Sequence, residues 1–134
     1  MKTSSTPTSR VVVDSWAWVE YFDGSPKGRK VEEFIAKKEV WTSAVSIAEV
    51  ISKYRRKRID EGLAMDTLFS ITRVGTLSRD DAQEAGRIHA EVKPVSPNFS
   101  LADSFVLQLA RKLGCKVLTG DPDFRKIVEA EFIS

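Results

Sequence analysis

One stretch decides the fold of this chain: Val117-Leu118-Thr119-Gly120-Asp121-Pro122-Asp123-Phe124. A short apolar run, which predicts a buried strand over residues 116–119, leads directly into a turn that carries two carboxylates. Asp121 and Asp123 flank Pro122, so they either shape the turn or gather at the strand end to hold a cation. The remainder of the chain decides between these interpretations.

A third carboxylate opens the helix that precedes this strand. The pattern predicts a helix over residues 101–113, ended by Gly114. Ser100 and Asp103 have the spacing of a capping box, in which each side chain bonds the other residue's backbone N–H. Helix initiation therefore explains Asp103, although a cation site at the same edge would use it as well.

The composition describes one soluble globular domain. The 134 residues suffice for a single sizeable core, and 42% are hydrophobic while 30% are charged. A net charge of +2 permits a polyanionic partner without requiring one. The one cysteine, Cys115, excludes an intramolecular disulfide and a cysteine-based zinc cluster.

The first ten residues differ in composition from the rest. Residues 1–10 are rich in Ser, Thr and Pro, which predicts a disordered leader before a single domain over residues 11–134. The leader lacks the apolar segment of a signal peptide, and no apolar run has the length of a membrane span. We expect a cytoplasmic protein without membrane contact.

Strand and helix patterns alternate along the chain. Strands are predicted over residues 11–13, 39–42, 73–77, 116–119 and 131–133. Helices are predicted over residues 15–22, 27–38, 60–72, 80–92 and 101–113, with a basic helix running to residue 58 and a short one over 125–130. This alternation predicts an α/β fold with three layers, α/β/α, around a mostly parallel sheet.

The first predicted strand also ends on an acid, Asp14. Open α/β sheets bind ligands beyond the carboxyl ends of their strands, where the strand order reverses. If the first and fourth strands are neighbours, Asp14 and Asp121 share one crevice. Carboxylates held a few Å apart repel when ionised, and a divalent metal supplies the missing counter-charge.

Simpler interpretations exist for each polar residue. Asp14 could cap the helix that begins at Ser15, and Glu49 could be one more solvated helix acid. His89 is the only histidine, and we expect it to be a surface or packing residue rather than a ligand.

Four segments, in this order, resemble the PIN domain family and more closely its VapC toxins, which belong to bacterial and archaeal toxin–antitoxin pairs. They are Val12-Val13-Asp14-Ser15, Ser46-Ile47-Ala48-Glu49-Val50, Ser100-Leu101-Ala102-Asp103-Ser104 and Leu118-Thr119-Gly120-Asp121-Pro122-Asp123-Phe124. The resemblance covers the chain from Val11 to Ser134.

The resemblance implies a metal-dependent endoribonuclease that hydrolyses RNA phosphodiesters. Its catalytic and metal-binding acids map onto Asp14, Glu49, Asp103 and Asp121. Asp123 would be an accessory acid, and the hydroxyls of Ser15 and Thr119 would support the ligands. Oxygen ligands favour Mg²⁺ or Mn²⁺. The implied partners are RNA, a VapB-like antitoxin and a second copy of the chain in a homodimer.

Two further groups of residues have open interpretations. The cations Lys53, Arg55, Arg56 and Arg58 are candidates for binding RNA, or they form a solvated helix end that complements the helix dipole. The aromatic residues Trp16, Trp18, Tyr21 and Phe22 crowd the first helix, so that some pack in a dimer or antitoxin groove or all are core.

Two other functions fit the same sequence. One is a housekeeping RNA-processing nuclease of the PIN type without an antitoxin. The other is a non-catalytic RNA-binding module whose acids serve only as caps.

Overall fold

A parallel five-stranded sheet forms the centre of the protein. The computed structural model describes residues 9–134. The strand order is β3-β2-β1-β4-β5, and every pairing is parallel. The strands are β1 (Arg10–Val13), β2 (Glu39–Ser43), β3 (Arg73–Gly75), β4 (Lys116–Thr119) and β5 (Ala130–Phe132).

Six helices cover the two faces of this sheet. They are α1 (Ser15–Asp23), α2 (Pro26–Ile35), α3 (Ala44–Arg56), α4 (Gly62–Ile71), α5 (Arg79–Val92) and α6 (Leu101–Leu113). Glycines in the left-handed conformation end α1 and α6, at Gly24 and Gly114. The predicted end of the helix at Gly114 is confirmed. Glycine suits this position because a residue without Cβ enters the left-handed conformation at little cost.

Alternation along β1 divides the core into two clusters. Val11 and Val13 face α1, α2, α3 and α4, whereas Val12 faces α5 and α6. Successive strand residues point to opposite sides of a sheet, so three consecutive valines fill both clusters. All three are at most 1% exposed. The predicted three-layer α/β/α fold is confirmed.

The strand order reverses between β1 and β4. The chain leaves β1 toward β2 and β3, and the second half of the sheet, β4 and β5, lies on the other side of β1. Asp14 and Asp121 can share one crevice only if the first and fourth strands are neighbours. These strands pair directly, with Val13 opposite Leu118. The carboxyl ends of these two strands therefore meet at one point of the sheet edge.

Some predicted bounds are wrong. The helix expected over 125–130 is absent. The chain instead makes a short 3₁₀ helix, Pro122–Phe124, and then two turns in which Ile127 and Ala130 donate N–H groups three residues back. This path buries Phe124 and Ile127 in the core. Burial of these two side chains outweighs the local helix propensity and so determines the conformation. The second helix ends at Ile35 rather than at 38, because residues 36–38 form a turn.

Two predictions concern the ends and the surface of the chain. The proposed leader, residues 1–10, lies outside the described residues except for its last two, and Arg10 already belongs to β1. Among residues 9–134, no helix combines the length and the apolar character that crossing a membrane requires.

Candidate active site

Asp14 stands at the carboxyl end of β1, beside the end of β4. Its backbone N–H donates to the Leu118 carbonyl at 3.1 Å, which continues the strand pairing by one residue. The Thr119 hydroxyl donates to Asp14 Oδ2 at 2.8 Å, and both residues are buried. The Asp14 side chain makes no capping hydrogen bond to α1, so the capping interpretation of this residue is wrong.

Asp103 is aimed by the first turn of α6. The backbone N–H of Ser100 donates to Asp103 Oδ2 at 2.9 Å, and the Asp103 N–H donates to the Ser100 hydroxyl at 3.0 Å. The predicted capping box is confirmed. One carboxylate oxygen is thus used by the cap, while the other remains available to a ligand.

Asp121 and Asp123 share the turn after β4. The Asp123 N–H donates to Asp121 Oδ1 at 2.9 Å, and the Asp121 N–H donates to the Thr119 hydroxyl at 3.0 Å. Thr119 therefore links this turn to Asp14 with one hydroxyl that both donates and accepts. The turn-shaping interpretation is correct for Asp121, whose carboxylate accepts the Asp123 N–H, and it does not compete with a ligand role.

The three carboxylates of Asp103, Asp121 and Asp123 converge. Each offers one oxygen, and these oxygens lie within 4.8 Å of one another. Asp123, which the sequence ranked as accessory, belongs to this closest group. Asp14 and Glu49 lie near enough that their charges act on it, since Asp103 raises the pKa of Asp14 and Glu49 raises the pKa of Asp103.

Burial and mutual repulsion disfavour the ionised acids. Burial raises the pKa of Asp14 to about 7, and the charges of Asp103, Glu49 and Asp121 add to this against the opposing Thr119 hydrogen bond. Burial likewise raises the pKa of Asp103 to about 6, although the donors at Ser100 favour its ionised form. A cation between these groups would reverse both effects.

Glu49 and Ser15 approach the cluster from neighbouring helices. Glu49 is half-buried on α3, where burial raises its pKa, the nearby Ser15 hydroxyl lowers it and the charge of Asp121 raises it. Ser15 begins α1 directly after Asp14. The structure therefore brings together, around one crevice, all the acids and both hydroxyls that the sequence singled out.

The chemistry of these donors fits a hard divalent cation. The converging ligand atoms are all carboxylate oxygens, and Mg²⁺ and Mn²⁺ prefer such ligands. A span of 4.8 Å allows one ion to be held directly or through its water molecules. His89 plays no part in the group; its Nε2 lies 3.1 Å from the Phe99 carbonyl, which is the expected packing role.

A groove beside the acids carries part of the basic cluster. This cavity of about 470 Å³ is lined by Glu49, Asp121, Lys53 and Arg56, together with Ser15 and Trp16. Arg55 and Arg58 instead line a separate depression, and Arg55 lies 3.6 Å from Glu61. Two of the four predicted RNA-binding cations are therefore next to the acids, and two are not.

The aromatic residues of α1 separate in the same way. Trp18 is fully buried, its Nε1 donates to the Thr42 hydroxyl at 3.1 Å, and the rings of Tyr21 and Phe22 pack on it. Trp16 is only half-buried and lines the groove. Trp18 is therefore a core residue, as the second interpretation expected. The dimer and antitoxin contacts stay predictions.

Sequence reasoning missed the loop that supports the turn after β4. The Ser96 hydroxyl donates to the Asp123 carbonyl at 2.8 Å, and Lys93 donates to the Pro97 carbonyl. Burial and the charge of Asp121 raise the pKa of Asp123, and the Lys93 ammonium partly opposes this rise. Pro94 and Pro97 marked this segment as a loop, but neither the proline spacing nor any periodicity indicates where a loop folds back.

A larger cavity than the groove beside the acids lies elsewhere among the described residues. It has a volume of about 830 Å³ and opens at the amino ends of the strands, opposite the acids. Its one carboxylate, Glu39, is paired with Arg10 at 2.9 Å and with Arg73 at 3.2 Å. Because its acid is neutralised by ion pairs, this cavity lacks the unbalanced negative charge that marks the other edge, and with Arg10, Arg73 and Lys116 its lining is net positive.

Comparisons with known proteins agree with this geometry. The model of the PIN domain matches residues 11–130. None of the curated protein sequences matches the chain.

Several solved structures share the fold. A toxin–antitoxin complex from Klebsiella pneumoniae has a chain that is 18% identical, with a TM-score of 0.74 over 92% of this chain and 98% of that one. VapC20 from Mycobacterium tuberculosis, described as a toxin that cleaves the sarcin-ricin loop, is 20% identical, with a TM-score of 0.74 over 92% and 99%. A DNA-bound VapBC from Salmonella typhimurium is 16% identical, with a TM-score of 0.72 over 94% and 99%. At such identities the likeness concerns the fold.

Proposed function

This chain belongs to the PIN domain family, and on that premise we propose that it is a divalent-metal-dependent endoribonuclease, the toxin of a VapBC-type toxin–antitoxin pair. The observation that carries the proposal is the convergence of Asp103, Asp121 and Asp123, with the buried Asp14 beside them. A non-catalytic module would gain nothing from acids whose burial and mutual repulsion oppose their ionisation.

The acid cluster would hold Mg²⁺ or Mn²⁺. When bound, such a cation supplies charge neutralisation at a phosphodiester and a water molecule of lowered pKa. Asp103, Asp121 and Asp123 offer the converging oxygens, and Asp14 and Glu49 flank them. The Thr119 hydroxyl donates to Asp14 Oδ2 and so fixes the direction of that carboxylate beside the converging oxygens. With a cation bound, Asp14 would be ionised and could accept a proton at its carboxylate.

The groove beside the cluster would hold the RNA backbone. Lys53 and Arg56 line the same groove as Glu49 and Asp121, so their charges would balance backbone phosphates next to the acids. We expect Lys53→Ala and Arg56→Ala to raise KM and to reduce the salt dependence of binding, since each removes about one phosphate contact. The matched change at Arg58, which lines a different depression, should have a smaller effect.

The test of catalysis compares two aspartates in the same local structure. Asp103 and Asp81 each occupy the third position of a helix that begins with a Ser-capped capping box. Asp103→Asn should reduce Mg²⁺- or Mn²⁺-dependent RNA cleavage by more than the about 10- to 100-fold typical of a residue that only supports a ligand. Asp81→Asn, away from the converging oxygens, should leave cleavage intact. Equal cleavage by wild type and Asp103→Asn would exclude this site.

The toxin assignment needs a test of its own. Two structural neighbours are a toxin–antitoxin complex and a DNA-bound VapBC, which supports an antitoxin partner, and we also propose a homodimer acting in the cytoplasm. Expression of wild type should arrest growth, and expression of Asp103→Asn should not. Rescue by a small protein encoded next to this chain would identify the antitoxin. Cleavage without growth arrest would instead indicate a housekeeping nuclease.

A further inference from the structure

Trp16 differs from the other aromatic residues of α1 because it packs on the core and also lines the groove beside the acids. Its indole is half-buried and lines the groove together with Glu49 and Asp121. Trp18, two residues later, is by contrast fully enclosed and has its N–H satisfied by Thr42. Trp16 therefore presents ring surface at the place where the proposed substrate would lie.

The ring rests on the turn that carries the acids. A Cβ added at Gly120 would lie 2.3 Å from the Cη2 atom of the indole, so the ring packs directly on the glycine backbone. Gly120 stands between Thr119, which orients Asp14, and Asp121, whose N–H bonds the Thr119 hydroxyl. The position of the indole is thus fixed relative to the carboxylates by covalently adjacent residues.

Cations lie beside the same ring. The Lys27 ammonium lies 5.7 Å from the ring centroid, and Lys53 and Arg56 line the groove, where Glu49 and Asp121 match their charges. Once the proposed cation neutralises the acids, the groove combines free basic side chains with an aromatic one, which is the arrangement by which proteins bind single-stranded nucleic acid, with phosphates on the cations and a base on the ring. The groove volume of about 470 Å³ lies in the range that accommodates a small ligand, about 300 to 1,000 Å³.

We propose that Trp16 is the stacking platform for one nucleobase of a single-stranded RNA substrate, next to the phosphate that the acid cluster binds. The inference rests on the proposed function, because it requires RNA in this groove. It adds that the strand must be unpaired at this point, since a base within a duplex has no free face for an indole. Loops, bulges and single-stranded ends are then the preferred targets.

The test uses two probes that differ only in their bases, with binding measured in EDTA so that neither probe is cleaved. One is a 2′-O-methyl RNA oligonucleotide, and the other has the same backbone with abasic positions. Trp16→Ala should weaken binding of the first probe by about 5- to 150-fold, the range of a lost base stack, and leave the second unchanged. Trp16→Phe should retain most of the affinity. Trp41→Ala, at a half-buried tryptophan on β2 that does not line this groove, is the matched control and should bind both probes normally.

A second measurement covers the case in which Trp16→Ala does not fold. Stacking on a base quenches indole fluorescence, so Trp16→Phe should bind the base-containing probe while losing most of the quenching that wild type shows. Equal weakening of both probes by Trp16→Ala, or full quenching in Trp16→Phe, would overturn the stacking role.

The outcomes separate this inference from the proposed function. Wild type that cleaves RNA, with a Trp16→Ala variant that binds both probes like wild type, removes the stacking role and keeps the nuclease. Wild type that binds bases through Trp16 but cleaves no RNA keeps the stacking role and removes the catalytic proposal. Wild type that neither binds the probes nor cleaves RNA removes both.

Discussion

Replacing Asp14 by Asn should make the metal-free protein more stable at pH 8. Burial raises the pKa of Asp14 from 3.8 to about 7, helped by the charges of Asp103, Glu49 and Asp121. One pKa unit corresponds to about 1.4 kcal/mol, so ionised Asp14 lowers the free energy of unfolding by about 4 kcal/mol. Asn has the same shape and still offers an oxygen to the Thr119 hydroxyl, but it carries no charge.

The sign of the effect follows from proton linkage. Because the folded-state pKa of Asp14 lies above the unfolded value, the folded protein binds more protons between about pH 4 and pH 7. The stability of wild type should therefore fall as the pH rises through this window, whereas the Asp14→Asn variant should lose less. Below pH 4 the two proteins should differ little, since Asp14 is then protonated in both states.

The assay is urea unfolding in EDTA at pH 4, 5.5 and 8. Asp81→Asn is the opposite control, because the Ser78 backbone N–H and the Lys112 ammonium lower the pKa of Asp81 to about 2. The contribution of ionised Asp81 is present above pH 4 and disappears as the pH falls toward 2, so its loss should destabilise the protein at pH 8. An Asp14→Asn variant that is less stable than wild type at pH 8 would refute the reasoning. So would a stability difference between the two proteins that is the same at pH 4 as at pH 8.

Adding metal should reverse the order of the two proteins. A cation that binds the folded state raises its stability by RT ln(1 + [L]/Kd). Wild type should therefore gain stability with increasing Mg²⁺ or Mn²⁺ in the same titration. Asp14→Asn should gain less, because it lacks one of the charges that the cation balances.

Four further substitutions test the roles of two helix caps and two glycines. Ser100→Ala removes the cap of α6 and should cost about 1 kcal/mol of stability together with cleavage activity, whereas Ser78→Ala on α5 should cost stability alone. Gly28→Ala should destabilise the protein by about 1 to 3 kcal/mol in urea unfolding, because its Cβ would lie 2.0 Å from the Glu20 carbonyl oxygen. Gly86→Ala meets open space inside a helix, so the same measurement should show a gain of up to about 1 kcal/mol, and a loss would contradict this.

Local signals predicted the fold wherever they agreed with the core. The helix Leu101–Leu113 and the strand Lys116–Thr119 have the predicted bounds, since Ser100 and Gly114 mark the ends of the helix. Residues 125–130 were predicted wrongly because the local pattern is compatible with a helix. Which of their apolar residues must reach the core depends on α5 and α6, which the local sequence does not describe.

The acids were identifiable from the sequence, but their grouping was not. Asp121 and Asp123 follow the same strand, and only the 3₁₀ helix between them brings both oxygens to Asp103. Helix geometry alone predicts which basic residues lie on the same face. Lys53 and Arg56 are three residues apart and share a face on which Arg55 does not lie. Which of these faces lies beside the acids depends on how α3 packs.

The principal acids differ in what holds them in place. Asp103 and Asp121 each accept a backbone N–H from within three residues, so local structure alone orients them. Asp14 depends on the Thr119 hydroxyl, 105 residues away, and this contact exists only when β1 and β4 are paired. Assembly of the whole cluster is therefore inseparable from formation of the central sheet, and a cation that offsets the repulsion around Asp14 stabilises the global fold rather than a single loop.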